Sequence, residues 1–211
     1  MNDQILSLSG TTATANTIRI GIPNVFASSM LPKVISACRA LGQGERLQFF
    51  CETSAGLIRN LSNGYLDVAF VSRGSVDSAV SIAQWPEAIC WVCAPDLITS
   101  PGAPVPLQSW PQGLSDQLAI EALESNGLSY SVVFTASDLC AHLAALSSGL
   151  GYAVLPERVV PSDLRIAREH FLPALPSLKT GVYLNEERSS RQLREVAACM
   201  ADALRPDPSL Q

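Results

Sequence analysis

Residues 51–74, CETSAGLIRNLSNGYLDVAFVSRG, read as strand, polar turn, helix, glycine stop and buried strand. Thr53 and Ser54 place hydroxyls where a strand hands over to a helix, the position at which a side-chain oxygen accepts from free backbone N–H groups. Leu57, Ile58 and Leu61 form a short apolar stripe at helical spacing. Asn63 and Gly64 stop the helix, because glycine enters the left-handed region without a Cβ clash. Leu66 to Val71 is then a nearly unbroken apolar run, as expected of a parallel strand covered on both faces. A helix that begins at the carboxyl end of a sheet leaves unpaired N–H groups there. With two hydroxyls beside them, this is a place for a small polar or anionic ligand.

The same design returns later. Phe134 to Leu139 opens a second unit, with Thr135 standing to the next helix as Thr53 stands to the first. Ser148 to Pro156 closes it, so that Gly149 corresponds to Gly64 and Tyr152–Leu155 to the buried run Leu66–Val71. Two such units predict two α/β lobes whose helix N-termini face each other across a cleft, an architecture for binding.

Composition narrows the classes. Of 211 residues, 47% are hydrophobic, enough for a real core and too many for a disordered chain. The formal net charge of −5 comes without any Lys/Arg-rich run, which argues against nucleic-acid binding by this chain. No apolar stretch approaches the roughly 20 residues needed to cross a membrane. Residues 1–16 are polar and small, read as a linker remnant or tail, and lack the basic start of a secretory signal. The six cysteines fall on apolar patterns and read as small core residues of a reducing cytoplasm.

Outward from the central stretch, Thr17–Ile22 alternates as a first strand, and Pro23–Ser29 reads as the loop to a helix carrying Leu31, Val34, Ile35, Cys38 and Leu41, ended by Gly42. Leu47–Glu52 is the second strand. The segment from Gly74 to Pro86 looks loose, Ala88–Ala94 a buried strand entering the second lobe, and Pro95–Pro111 a Pro-rich connection. A helix around Leu114–Leu123, a strand Tyr130–Thr135, a helix Ser137–Ser148, a strand Gly151–Leu155, a weak strand Leu164–Ala167, a returning strand Thr180–Leu184 and a last helix to Leu204 complete the pattern. Helices alternating with strands predict an α/β fold with mostly parallel pairing.

Chemistry-bearing motifs are few. Cys90-x-x-Cys93 lies in a strand, where residues three apart point to opposite faces, and no second ligand pair accompanies it. It reads as core packing, with a redox-sensing cysteine pair as the sharper alternative. His142 is expected on the polar side of its helix and His170 in a loop, neither forming a dyad. Arg188, Arg191 and Arg194 read as the solvated face of the last helix. No catalytic triad, phosphate loop or metal-ligand spacing is visible, so neither an enzyme nor a cofactor or metal site is expected.

Taken in order, IRIGIP, LPKV, CETSAGLIRNLSNGYLDVAFV, PLQSW and SGLGYAVLPE resemble the effector-binding domain of LysR-type transcriptional regulators, over about Thr17 to Leu204. WVCAP, VPLQSWP and LPALP resemble most the LrhA/HexA-like branch. The resemblance implies a periplasmic-binding-protein type II fold: two Rossmann-like lobes joined by two crossover strands, with a small-molecule effector in the cleft. It places lobe I at residues 17–86 and 180–205, lobe II at 87–179 and a tail at 206–211. It also implies an N-terminal winged helix-turn-helix on a linker helix, neither present in these 211 residues. Asp3–Ser9 would be the tail of that linker, and DNA would be contacted only through the missing part. A cytoplasmic homodimer, tetrameric at full length, is the implied assembly, with the Leu31–Leu41 helix in the interface. Carried over position by position, the effector site comprises Asn24, Val25, Phe26, Thr53, Ser54, Ala55, Ser109, Trp110, Thr135, Ala136 and Ser137. Arg73 is the candidate cation, since the arginine many relatives carry after the position of Trp110 is missing here. A stand-alone type II solute-binding protein is the alternative on the same fold; it would require export and a mature N-terminus after Ala13 or Ala15.

Overall fold

The computed structural model describes residues 17–41, 46–72, 79–100, 102–111 and 113–206. The tail at 1–16, Gly42, Arg73, Gly74 and the last five residues lie outside them. Strands β1 (Thr17–Pro23), β2 (Arg46–Glu52), β3 (Val68–Ser72), β4 (Ala79–Glu87) and β10 (Leu178–Asn185) form one sheet in the order β2-β1-β3-β10-β4. Helices α1 (Asn24–Ala40) and α5 (Arg191–Leu204) cover one face and α2 (Ser54–Ser62) the other. The apolar repeat explains the division. Phe26, Met30, Val34 and Cys38 recur every fourth residue along α1 and are buried with Val196, Ala197, Met200 and Leu204 of α5. Leu57 and Leu61 of α2 pack with Leu66, Ala69 and Val71 on the far side.

The second sheet comprises β5 (Ile89–Cys93), β6 (Val105–Ser109), β7 (Tyr130–Thr135), β8 (Ala153–Pro156) and the short β9 (Arg165–Ile166). β8-β5-β9 and β6-β7 are linked by a bridge between Leu107 and Tyr152. Helix α3 (Leu114–Ser125) buries Ala119 and Leu123 on one face; α4 (Leu139–Ser147) buries Leu146 on the other. Cys93 belongs to the first of these cores and Cys90 packs against the second, so the two thiols do point apart.

The chain passes between lobes from β4 into β5, and returns along β10, which pairs antiparallel with β3 and β4. These crossovers correct the expectation of mostly parallel pairing. β5 also runs antiparallel to β8 and β9, while β1 with β2 and β3, and β6 with β7, are parallel. A strand arriving from the other lobe runs against its hosts. Ala79–Glu87 is strand rather than loose chain; it is an edge, which is where Pro86 is tolerated. Val105–Ser109 is likewise strand within the Pro-rich connection. At the lobe junction Arg158 donates two 2.7 Å bonds to the buried Glu87 carboxylate and lies 5.2 Å from the Phe26 ring centroid. One ion pair thus ties the end of β8 to β4 and α1.

Of the six cysteines, Cys38 and Cys93 are buried and Cys90 and Cys199 half-buried, but Cys51 and Cys140 are exposed, against the expectation that all are core. Cys51 alternates outward on β2 and Cys140 sits on the solvent side of α4. Arg188 lies in a short turn before α5 rather than on it, and reaches Asp67 at 3.5 Å. That carboxylate is already held by Arg19 at 2.8 Å.

Candidate effector cleft

A cavity of about 340 Å³ opens between the two sheets. From the first lobe it takes the start of α1 (Asn24, Val25) and the start of α2 (Thr53, Ser54, Ala55). Both helices begin at the carboxyl ends of parallel strands, so their N-termini come to the same edge. Thr53 is the N-cap of α2, its Oγ1 accepting from Gly56 N at 3.2 Å. Ser54 Oγ accepts from Ser72 N at 3.0 Å, which pins the helix to the end of β3. Gly64 takes φ 72° after this helix and Gly149 φ 75° after α4, so both glycine stops act as read from the sequence.

Across the cavity the second lobe presents Trp110 and the first turn of α3, including Asp116. Here the structure departs from the sequence reading. The helix start that faces α2 belongs to α3, not to α4. Thr135, Ala136 and Ser137 do not line the cavity: Thr135 ends β7, Ala136 N donates to Ser109 O, and the cap of α4 is Asp138, whose side chain accepts from Ala141 N. The cap falls three positions after Thr135, so the resemblance of the two units is in order and not in register. Phe26 is also absent from the lining; α1 begins directly at Asn24 without a loop, which turns Phe26 into the core, 5.0 Å from the Phe70 ring. Ser109 stands behind the wall and donates to Asp116 Oδ2 at 2.8 Å. Arg73 lies outside the described residues.

Several lining residues escaped the sequence reading, Asp116, Gln108 and His142 among them. Asp116 has its carboxyl pushed up by burial, an effect the bonds from Ser109 and the Trp110 backbone oppose. Gln108 is 1% exposed, and neither its Nε2 nor its Oε1 has a partner among the described residues. His142 is 2% exposed and not on a polar face. Its ring lies 5.7 Å from Trp110, its Nδ1 has no partner among the described residues, and burial lowers its pKa to about 4, so the imidazole is neutral at pH 7. An enclosed polar group without a partner costs about 1–3 kcal/mol, so such groups collected at one cavity need a reason. A signal existed: Gln108 sits between Leu107 and Ser109 in an apolar strand, and His142 follows Ala141 in a helix with no charged residue between Leu139 and Ser147.

Two α/β lobes, two crossovers and a polar cleft between helix starts define a binding module of the periplasmic-binding-protein type II kind. The profile of the family described as LysR substrate binding domain matches residues 12–205, and the chain belongs to that family. The HTH-type transcriptional regulator DgdR of Burkholderia cepacia is 28% identical over 191 residues, covering 90% of this chain and 64% of its own length. The HTH-type transcriptional regulator PecT of Dickeya dadantii is 22% identical, with 90% and 60% covered. The chain therefore spans less than two thirds of the length of these regulators. The apo regulatory domain of HypT from Salmonella typhimurium has the same fold, with a TM-score of 0.69 at 17% identity over 91% of this chain and 99% of that one. The match is to the family as a whole and does not single out the LrhA/HexA-like branch.

Proposed function

We propose that this chain is the small-molecule-sensing and oligomerisation part of a bacterial LysR-type transcriptional regulator, a binding module without catalysis of its own. The observation that carries the reading is the cavity between the lobes, into which the capped start of α2 and the wall of Trp110 and Asp116 both project. An effector that touches both lobes binds one relative orientation better than another, and that difference in affinity shifts the population between them. In the whole regulator the shift would reset how paired subunits hold a helix-turn-helix part on DNA.

The lobes are taken as residues 17–86 with 180–205, and 87–179. The effector contacts are Asn24, Val25, Thr53, Ser54, Ala55 and Trp110, joined by Arg73, which follows the lining residue Ser72. A cytoplasmic homodimer is the working assembly. The family match favours this reading over a free solute-binding protein, which would share the fold.

The test is a thermal-shift screen of the chain against small metabolites, with each hit repeated on Thr53→Ala and Trp110→Ala. Hits weakened at least tenfold by either change support the cleft. Hits indifferent to both place binding elsewhere and overturn the assignment.

A further inference from the structure

The lining of the cleft speaks to the chemistry of its ligand, provided the cleft is the effector site. Its charged side chains, among the described residues, are the carboxylates of Glu52 and Asp116; none is Lys or Arg. Set against them is Gln108, whose amide offers a donor and an acceptor side by side, both unpartnered among the described residues. His142 adds a neutral imidazole with an unpartnered Nδ1, beside the plane of Trp110. On the opposite wall the Thr53 hydroxyl accepts from Gly56 N and keeps its own proton to donate.

We propose that the cleft takes a small, planar, uncharged molecule bearing a primary carboxamide or lactam edge, and that Gln108 and His142 are the residues that read this edge. An amide N–H and C=O pair edge to edge with the Gln108 Oε1 and Nε2, and both partners are satisfied. A carboxylate in the same place has no proton for Gln108 Oε1, and the acidic side chains that line the cleft among the described residues, Glu52 and Asp116, offer it no partner. Gln108 and His142 both line the cavity, at 1% and 2% exposure, so the edge meets them there. The groups that are orphaned without ligand become paired with it, and a site built to pair a polar edge rejects the analogue that lacks it. Trp110 supplies the flat apolar surface for the rest of the ligand.

Isosteric pairs test this directly: benzamide against benzoate, and nicotinamide against nicotinate, titrated into the 211-residue chain by calorimetry. The expected result is at least tenfold tighter binding of each amide than of its carboxylate. Gln108→Leu should cut amide binding at least tenfold, and the comparison in the wild-type chain stands even if that variant fails to fold. Carboxylates that bind as well as or better than amides, lost in Thr53→Ala and unaffected by Gln108→Leu, would overturn the ligand class and leave the cleft as the site. Amides that bind equally to wild type, Thr53→Ala and Gln108→Leu would overturn both readings. No binding of either amide at millimolar concentration also refutes the proposed ligand class.

Discussion

Protonating His142 should destabilise this protein, and the size of the effect follows from its burial. The imidazole is 2% exposed, and burial takes its pKa from 6.5 to about 4. The unfolded chain therefore binds a proton near pH 6.5 that the folded chain refuses until about pH 4. Between those values the unfolded state holds more protons, so stability falls as pH falls, and what His142 contributes is fully present above pH 6.5. Linkage puts the loss at about 1.4 kcal/mol at pH 5.5, about 2.5 kcal/mol at pH 4.5 and about 3 kcal/mol at pH 4, approaching about 3.4 kcal/mol below that. The perturbation is His142→Phe, which fills the space beside Trp110 with a ring that does not titrate. Urea unfolding of both proteins from pH 7 to pH 4.5 gives two stability curves. Their difference cancels groups that titrate in both, including Asp116, and isolates His142. The wild type should lose ground to the variant by about 2–3 kcal/mol across that range. A difference curve flat to within a few tenths of a kcal/mol would refute the reasoning, because it would mean the imidazole is freely solvated.

Other outcomes follow from the same contacts. Thr53→Ala removes the α2 cap and should cost about 1 kcal/mol in urea unfolding, with Thr53→Ser restoring most of it; equal stability of all three would show the cap bond idle. Arg158→Leu strands the Glu87 carboxylate, 3% exposed, at the lobe junction and should cost about 3–5 kcal/mol. The double change Arg158→Leu/Glu87→Leu should recover most of that loss, and a double mutant no better than the single one counts against the pair. Gly151→Ala would set a Cβ 2.5 Å from the Pro106 carbonyl oxygen, where β6 passes, and should lower the unfolding midpoint by several degrees. An unchanged midpoint would show that the strand gives way freely.

What the sequence determined by itself is local. Apolar residues at period four or in unbroken runs can form only the helices and buried strands that local geometry allows. The Thr53 cap and the stops at Gly64 and Gly149 are each settled within a few residues by hydrogen bonding and φ. The order of these elements was enough for the α/β class, the two lobes and the first-lobe wall of the cleft, Asn24, Val25 and Thr53–Ala55. Strand Ala79–Glu87 was missed because its support comes from β10, about a hundred residues on, and its own pattern is that of an edge. Thr135–Ser137 were misplaced because two units with the same order need not share a register: the cap fell on Asp138, and α3 came to face the cleft. His142 and Gln108 stand in apolar stretches of the sequence, a signal that does not by itself say what they face. Only tertiary packing buries them, His142 beside Trp110 for one, since burial is a property of what packs across the chain and not of what lies beside it.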